Sequence, residues 1–185
     1  MMPSPTSNSL ARHRPGRLRR SWLTALLLAA SLLAPWQART AFAIPPATLT
    51  GHPAPPFTRS TLDHHPIALA NYRGKVILLN FWATWCGPCL TEIPQFSAWQ
   101  RQYPKLQVLG ISMDDDPAPV LQSLARLHPG YPIAMGDPQL AHLYGGVYGL
   151  PVTFLIDKRG IVRYRHRGAA PIPQLQSELT QLLAQ

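Results

Sequence analysis

The chain has 185 residues and a formal net charge of +9. Residues 1–43 hold six arginines and no acid, which leaves eleven Lys and Arg against eight Asp and Glu in the rest of the chain. This length excludes two domains of ordinary size beyond residue 43, and the small excess of positive charge there gives no case for a nucleic-acid partner.

The first 43 residues have the composition of an export signal. An arginine-rich segment precedes an apolar run at residues 22–34, and Ala41, Phe42 and Ala43 form an Ala-x-Ala cleavage site. The thirteen residues of the apolar run span about 20 Å as a helix, short of a hydrocarbon core about 30 Å thick. We therefore predict a cleaved signal peptide at residues 1–43 and a periplasmic protein. The alternative is a permanent anchor in the inner membrane.

A proline-rich segment follows. Six prolines lie between residues 44 and 66, and five of them lie between residues 44 and 56. Because proline lacks a backbone N–H, such a segment is typical of irregular structure. We predict an irregular lead-in at residues 44–56 and a single folded domain at residues 57–185.

The only two cysteines of the chain follow a predicted buried strand. Residues 76–82 are nearly all apolar, as in a strand buried on both faces. The sequence Trp-Cys-Gly-Pro-Cys occupies residues 85–89, and we expect a helix to begin at Cys86, since Pro88 suits an early helical position. The N–H groups and the dipole at a helix start favour a thiolate, the nucleophile of disulfide exchange. Cys89 lies one turn further on, where it can attack a mixed disulfide on Cys86.

Other uses of a Cys-x-x-Cys pair fit this sequence less well. A zinc site needs two more ligands at suitable spacing, and a c-type haem site needs His at position 90, which is Leu. A purely structural disulfide would close a very short loop and constrain the unfolded chain little. We therefore expect redox chemistry at Cys86 and Cys89, with no metal and no cofactor.

The rest of the chain predicts alternating strands and helices. First comes a strand at residues 106–112, and then a helix that is opened by Asp116 and Pro117 and has a buried face of Val120, Leu121, Leu124 and Leu127. A short apolar piece near Ile133 and a short helix at residues 138–144 follow. The chain ends with a hairpin of residues 152–156 and 161–164 and a last helix that carries Leu175, Leu179, Leu182 and Leu183. This order predicts an α/β fold with a right-handed crossover between its parallel strands.

Two charged groups have simple interpretations. The acidic run at residues 114–116 is expected to be a solvated loop with a helix cap, and not a metal site. Arg163, Arg165 and Arg167 alternate with a period of two, which predicts the solvent face of a strand. A basic docking face for an acidic partner is the alternative for these arginines.

Three segments resemble a known family. Residues 81–89, Phe-Trp-Ala-Thr-Trp-Cys-Gly-Pro-Cys, resemble the active site of the thioredoxin superfamily. Residues 92–94, Glu-Ile-Pro, and residues 146–157, Gly-Val-Tyr-Gly-Leu-Pro-Val-Thr-Phe-Leu-Ile-Asp, are similar to the exported TlpA/ResA-type reductases and to the CcmG/DsbE proteins of cytochrome c maturation. The resemblance implies a thioredoxin-like α/β fold, a central mixed β-sheet flanked by helices, with an N-terminal extension and an insertion after the second helix.

The resemblance also implies roles for individual residues. Pro151 matches the family's cis-proline, which lets the backbone of Leu150 pair with a bound substrate segment. Glu92 matches an acidic residue of these families, and we expect it to exchange protons with the cysteines. Trp85 is expected to cover the cysteine pair and contact substrate. Asn80 replaces the buried Asp of thioredoxin, so that acid is absent here.

Together these features predict a monomeric, exported thiol-disulfide oxidoreductase that reduces protein disulfides through Cys86 and Cys89. The resemblance implies a membrane electron donor of the DsbD or CcdA kind, and apocytochrome c as the leading substrate. An exported thiol oxidase is one alternative. A peroxidase is another, although Ala83 stands where that family has threonine. A copper-handling module on the same fold, with His142 or His166 as a third ligand, is the last.

Overall fold

The computed structural model describes residues 48–185. The strands in this range are β1 (Thr58–Ser60), β2 (Pro66–Ala68), β3 (Val76–Trp82), β4 (Leu106–Ser112), β5 (Ile133–Met135), β6 (Val152–Ile156) and β7 (Val162–Arg167). The helices are a 3₁₀ helix (Leu69–Tyr72), α1 (Gly87–Gln102), α2 (Pro117–Leu127), α3 (Pro138–Leu143) and α4 (Ile172–Leu183). The predicted signal peptide at residues 1–43 lies outside the described residues. None of the helices between residues 48 and 185 is long and apolar enough to cross a membrane.

In the described part of the chain, five strands form one mixed sheet in the order β5-β4-β3-β6-β7. β3, β4 and β5 are parallel, whereas β6 is antiparallel to both β3 and β7. α1 and α2 connect the parallel strands and pack with α4 on one side of the sheet, here called the α1 face. α3 and the β1–β2 hairpin pack on the other side, the α3 face. The predicted α/β architecture, a central mixed sheet flanked by helices, is confirmed.

β3 lies at the centre of the sheet and is buried along its whole length, as predicted. Its side chains alternate between the two cores. Leu78 and Trp82 pack on the α1 face, and Leu79 and Phe81 pack on the α3 face. Because apolar burial stabilises both sides of this strand, its carboxyl end, which carries the cysteine motif, is held in a fixed position.

The proline-rich lead-in packs on the domain from residue 48 onwards. Leu49 is 1% exposed among the side chains of the α3 face. The N–H of Gly51 donates to the carbonyl of Val162 at 2.8 Å, and the N–H of Val162 donates to the carbonyl of His52 at 3.0 Å. Residues 48–56 therefore run beside the start of β7. The domain boundary at residue 57 stays a prediction.

The segment predicted as an insertion contains β5 and α3. β5 extends the sheet beside β4. α3 begins after Asp137, whose carboxylate accepts a hydrogen bond from the N–H of Leu140 at 2.7 Å. Arg59 also donates to Asp137, at 2.6 Å, and this ion pair connects the β1–β2 hairpin to α3.

Two details of the sequence prediction are wrong. Leu121 was expected on the buried face of α2, but its side chain is 49% exposed, because the buried face is centred on Val120 and extends towards Ser123, on the side away from Leu121. Arg163 and Arg165 were expected on the solvent face of a strand, but both are only partly exposed. Both form hydrogen bonds with other parts of the chain, so they are not free surface charges.

Asp157 organises the turn between β6 and β7. Its Oδ1 accepts hydrogen bonds from the N–H groups of Arg159 and Ile161, both at 2.9 Å, and its Oδ2 accepts from Arg163 Nε at 2.7 Å. Burial alone would raise the pKa of Asp157, but these three donors outweigh burial and lower the pKa. The ionised carboxylate therefore stabilises the hairpin, with Gly160 at φ 84° completing the reversal.

Replacing Asp157 with Asn should lower the free energy of unfolding by about 2–4 kcal/mol at neutral pH, because the amide cannot accept all three hydrogen bonds. The folded pKa lies below the unfolded value of 3.8, so the contribution of Asp157 is present above that value and is lost as the pH falls through the folded pKa. Urea unfolding of both proteins should show this difference shrinking below about pH 4. The exposed Asp115→Asn variant is the control, and a difference undiminished in acid would contradict the assignment.

Candidate active site

A strand, a tight loop and a helix hold the two cysteines. β3 ends at Trp82, and α1 begins directly after Cys86, which is its N-cap residue. The N–H of Cys86 donates to the carbonyl of Ala83 at 3.2 Å and closes the loop. Cys86 and Cys89 are joined by a disulfide, with Cα atoms 5.3 Å apart. The predicted helix start at the first cysteine is confirmed.

The helix start directs one backbone N–H at the outer sulfur. The N–H of Cys89 points at Cys86 Sγ, with a donor–acceptor distance of 3.3 Å. Pro88 has no N–H to offer, and the first turn of α1 contains no acidic side chain. The partial positive charge of the helix start is therefore not offset, and it favours negative charge on Cys86 when the disulfide is open.

The two sulfurs differ in their access to solvent. Cys86 is 6% exposed, whereas Cys89 is fully buried on the α1 face. An incoming disulfide can therefore reach Cys86 first. Cys89 can react only with a partner already bound to Cys86.

Leu150 and Pro151 lie at the same end of the sheet as the cysteines. The peptide bond between them is cis, as the family resemblance implied. Because β6 is antiparallel to β3, with Val152 opposite Phe81, the residues before β6 lie beside the carboxyl end of β3. Leu150 packs against the cluster of side chains that contains both cysteines.

Two exposed aromatic side chains belong to the same two loops. Trp85, directly before Cys86, is 71% exposed. Tyr148, three residues before Pro151, is 93% exposed. Exposed aromatic side chains are common in protein interfaces, because they contribute a large apolar area at a small loss of conformational entropy.

Glu92 lies one turn beyond Cys89 and is 4% exposed. Neither of its carboxylate oxygens has a hydrogen-bond partner among the described residues. Burial raises the pKa of Glu92 to about 7. The N–H of Ala170 faces the carboxylate and weakly opposes this rise, without the geometry of a hydrogen bond. A carboxyl group with this pKa gains and loses its proton near neutral pH.

β3, which packs against α1, contains no acidic residue, and Asn80 is its polar side chain. Asn80 is 1% exposed, and its Nδ2 donates to Thr153 Oγ1 at 3.0 Å, across the β3–β6 pair. An amide does not titrate, so this pair holds two strands together without taking up a proton. Among the residues placed at the site by sequence, Glu92 is the one whose proton equilibrium is shifted towards neutral pH.

Asp114 has a position that the sequence analysis missed. The expected solvated loop is wrong for this residue, which is 9% exposed. Its carboxylate accepts hydrogen bonds from the N–H of Thr84 at 3.0 Å, from Thr84 Oγ1 at 2.6 Å and from Ser112 Oγ at 2.7 Å. These bonds fix the loop two residues before Cys86. The parallel pairing of β3 with β4, which places Ser112 beside Trp82, was the available indication.

Arg165 was also missed as a positioning residue. It donates to the carbonyl of Gly146 at 2.9 Å and lies over the ring of Phe154, with the guanidinium carbon 5.3 Å from the ring centre. These contacts connect β7 to the loop that leads to Leu150 and Pro151. The loop needs glycine at 145 and 146, where φ is 74° and 78°.

Metal ligands are not grouped in the described residues. Between residues 48 and 185, no three His, Cys, Asp or Glu side chains lie together as a candidate metal site. His166, named above as a candidate third copper ligand, instead has its Nε2 at 2.6 Å from the carboxylate of Glu178 on α4. His142 is exposed on α3.

Comparison with known sequences gives consistent matches. A model of the AhpC/TSA family matches residues 50–165. The thiol:disulfide interchange protein DsbE of Escherichia coli (strain K12) is 39% identical over 153 residues, which covers 77% of this chain and 80% of that protein. The thiol-disulfide oxidoreductase ResA of Geobacillus thermodenitrificans is 37% identical over 120 residues, which covers 63% of this chain and 68% of ResA.

Solved structures agree with the sequence matches. A thiol:disulfide interchange protein of the thioredoxin family from Chlorobium tepidum TLS matches with a TM-score of 0.66 and 30% identity, over 71% of this chain and 95% of that one. The thioredoxin-like fold is therefore confirmed. With a Cys-x-x-Cys pair at the start of α1, the chain belongs to the AhpC/TSA family, among the thioredoxin-like thiol-disulfide oxidoreductases that include DsbE and ResA.

Proposed function

We propose that this protein is an exported reductase of protein disulfides, with Cys86 as the attacking nucleophile and Cys89 as the resolving thiol. The observation that carries the proposal is the geometry at the start of α1. There, the N–H of Cys89 points at Cys86 Sγ, and Leu150 packs against the cluster of side chains that contains both cysteines. The names of the DsbE and ResA relatives support the same chemistry.

The reaction begins when the Cys86 thiolate attacks one sulfur of a substrate disulfide. A mixed disulfide forms and one substrate thiolate leaves. The substrate backbone lies along Leu150, next to Pro151, while Trp85 contacts its apolar side chains. Cys89 then attacks Cys86, which releases the second substrate thiolate and closes the Cys86–Cys89 disulfide. Two electrons pass to the substrate, whose sulfurs take up two protons.

Glu92 is proposed to move the proton of the resolving step. Cys89 is fully buried, so its thiol cannot give its proton directly to solvent. The carboxylate of Glu92, one turn away on α1, accepts that proton when it is ionised. Its pKa of about 7 allows it to release the proton again near neutral pH.

The sequence of the leader and the names of the relatives support a proposal for the cellular setting. The arginine-rich and apolar segments of residues 1–43 support export to the periplasm, with an inner-membrane tether as the alternative. An oxidising compartment tends to close the cysteine pair, so a reductase there needs an electron donor. We propose a membrane donor of the DsbD or CcdA kind, and apocytochrome c, whose haem-binding cysteines must be reduced, as substrate.

A Cys89→Ala variant should trap substrates as mixed disulfides on Cys86, because the resolving sulfur is gone. The trapped proteins are isolated from the periplasm under non-reducing conditions and named by mass spectrometry. Apocytochrome c or its handling proteins should dominate among them. A Cys86→Ala variant is the matched control, and equal capture by that variant would remove Cys86 from the role of nucleophile.

The purified protein should favour its disulfide form when equilibrated with thiol buffers. We expect a reduction potential well below the strongly oxidising value of about −120 mV, because a reductase must pass electrons to other protein disulfides. Mass spectrometry after alkylation measures the oxidised fraction at each buffer composition. A potential at or above that value would reverse the proposed direction and favour the oxidase alternative.

A Glu92→Gln variant should slow resolution of the mixed disulfide by roughly 100-fold above neutral pH, because the amide cannot accept the Cys89 proton. Stopped-flow kinetics of the wild-type protein should show a rate that rises as the pH passes through about 7. The variant should lose this inflection, and Glu92→Asp should restore part of it. An unchanged pH profile would exclude Glu92 from the proton transfer.

Stability measurements separate this role from packing. The raised pKa of Glu92 means that its favourable contribution is present below the unfolded value of 4.5 and is lost as the pH rises through about 7. Glu92→Gln should therefore be more stable than wild type by about 2 kcal/mol at high pH, after allowance for solvent screening, and similar to wild type in acid. Loss of the kinetic inflection in a variant that is at least as stable as wild type cannot come from unfolding.

A further inference from the structure

Arg167 lies next to the substrate edge of the site. It is the last residue of β7 and pairs with Val152, the residue after Pro151. The N–H of Gly168 donates to the carbonyl of Pro151 at 2.8 Å, so the end of β7 is bonded directly to the cis-proline. A polypeptide bound along Leu150 therefore passes close to the Arg167 backbone.

The charge of Arg167 is not neutralised within the described structure. Of the alternating arginines, Arg163 is paired with Asp157 and Arg165 is bonded to Gly146. Arg167 is exposed, and its side chain has no hydrogen-bond or ion-pair partner among residues 48–185. Arg165 and Arg167 lie two residues apart on β7, so their side chains share one face of the strand. Burial and, after it, the charge of Arg167 lower the pKa of Arg165.

A cleft lies between the side chain of Arg167 and the loop that leads to the cis-proline. It has a volume of about 260 Å³ and is lined by Gly146, Tyr148, Gly149, Val152 and Arg167. The ring of Tyr148 lies against Gly146, where a Cβ atom would be 2.2 Å from the ring. The cleft is thus lined by a residue with a guanidinium, which has fixed donors, and by a residue with a phenolic O–H.

We propose that this cleft, the Arg167 subsite, binds an Asp or Glu side chain of the protein segment whose disulfide is reduced. The proposal rests on the proposed function and adds a preference among its substrates. A carboxylate there neutralises Arg167, reduces its repulsion with Arg165 and accepts hydrogen bonds from Arg167 and Tyr148. The contact acts on binding of the segment and leaves the exchange between sulfurs unchanged.

Because the subsite is exposed to solvent, we expect only a modest preference for an acidic residue in the substrate. Exposed ion pairs contribute little energy, so a single Asp in the right place should raise the rate of reduction about 2- to 5-fold at low salt over the same peptide with Asn. A Lys at that place should lower the rate by a similar factor. Both effects should weaken at high salt, because the charges are solvent-accessible.

The test uses the reduced protein and a set of short peptides, each closed by one disulfide. The peptides are identical except for one Asp, Asn or Lys, placed in turn at each of the two residues before and after the attacked cysteine. Stopped-flow fluorescence gives the second-order rate constant for each peptide. We expect one position at which Asp is preferred over Lys, and little preference at the others.

Variants then assign the preference to Arg167. Arg167→Gln should bring the Asp-to-Lys ratio close to one, and Arg167→Glu should invert it. Arg126→Glu, on the exposed end of α2, changes the net charge equally and should keep both the wild-type ratio and the wild-type rate with the Asn peptide. A ratio that falls as far with Arg126→Glu as with Arg167→Glu would show general charge steering and overturn the subsite.

The outcomes distinguish this inference from the function on which it rests. If no peptide is reduced, the reductase function fails. If all peptides are reduced at equal rates, and Arg167→Gln changes nothing, the function stands and the subsite is wrong. The ratio is compared within each variant, so partial loss of folded protein does not affect the result.

Discussion

The antiparallel pairing of β3 with β6 is the constraint on which the rest of the site depends. α1 can begin only where β3 ends, and the loop with the cis-proline can lie only where β6 begins. The register with Val152 opposite Phe81 brings these two points to one edge of the sheet. The positions of both loops are set by the strands to which they are attached, because these strands are buried between two cores. Asp114 then holds the cysteine loop through Thr84, and Arg165 holds the cis-proline loop through the carbonyl of Gly146.

The site divides its electrostatic tasks between backbone and side chains. The start of α1, which has no acid in its first turn, provides partial positive charge for the outer sulfur. The interior provides the opposite environment, because burial keeps the Glu92 carboxyl group neutral to about pH 7. With Asn80 in place of an acid on β3, proton exchange at the inner sulfur is concentrated on the helix. In the proposed mechanism, the start of one helix thus carries the nucleophile, the resolving thiol and the proton acceptor.

Local patterns made most of this fold predictable from the sequence. The continuous apolar run of β3, the Cys-x-x-Cys spacing and the proline in the first turn of α1 each depend on neighbouring residues. Pro151 and Glu92 required a family resemblance, because nothing in their own neighbourhood distinguishes them. Asp114, Arg163 and Arg165 were misread, since their partners lie in other elements: Asp114 bonds to Thr84, and Arg165 to Gly146. Periodicity predicts which face of a strand or helix a residue occupies, but it does not predict which distant parts of the chain pack or form hydrogen bonds there.

The burial of the closed disulfide has a kinetic consequence. Cys86 is 6% exposed and Cys89 is fully buried, so a partner must dock on the protein before it can open their bond. In the mechanism proposed above, docking uses the edge at Leu150, whether the incoming protein gives electrons or takes them. Donor and acceptor therefore cannot be bound at the same time, and the enzyme must alternate between them in a ping-pong cycle. An excess of either partner in the wrong redox state would then act as a competitive inhibitor of the other.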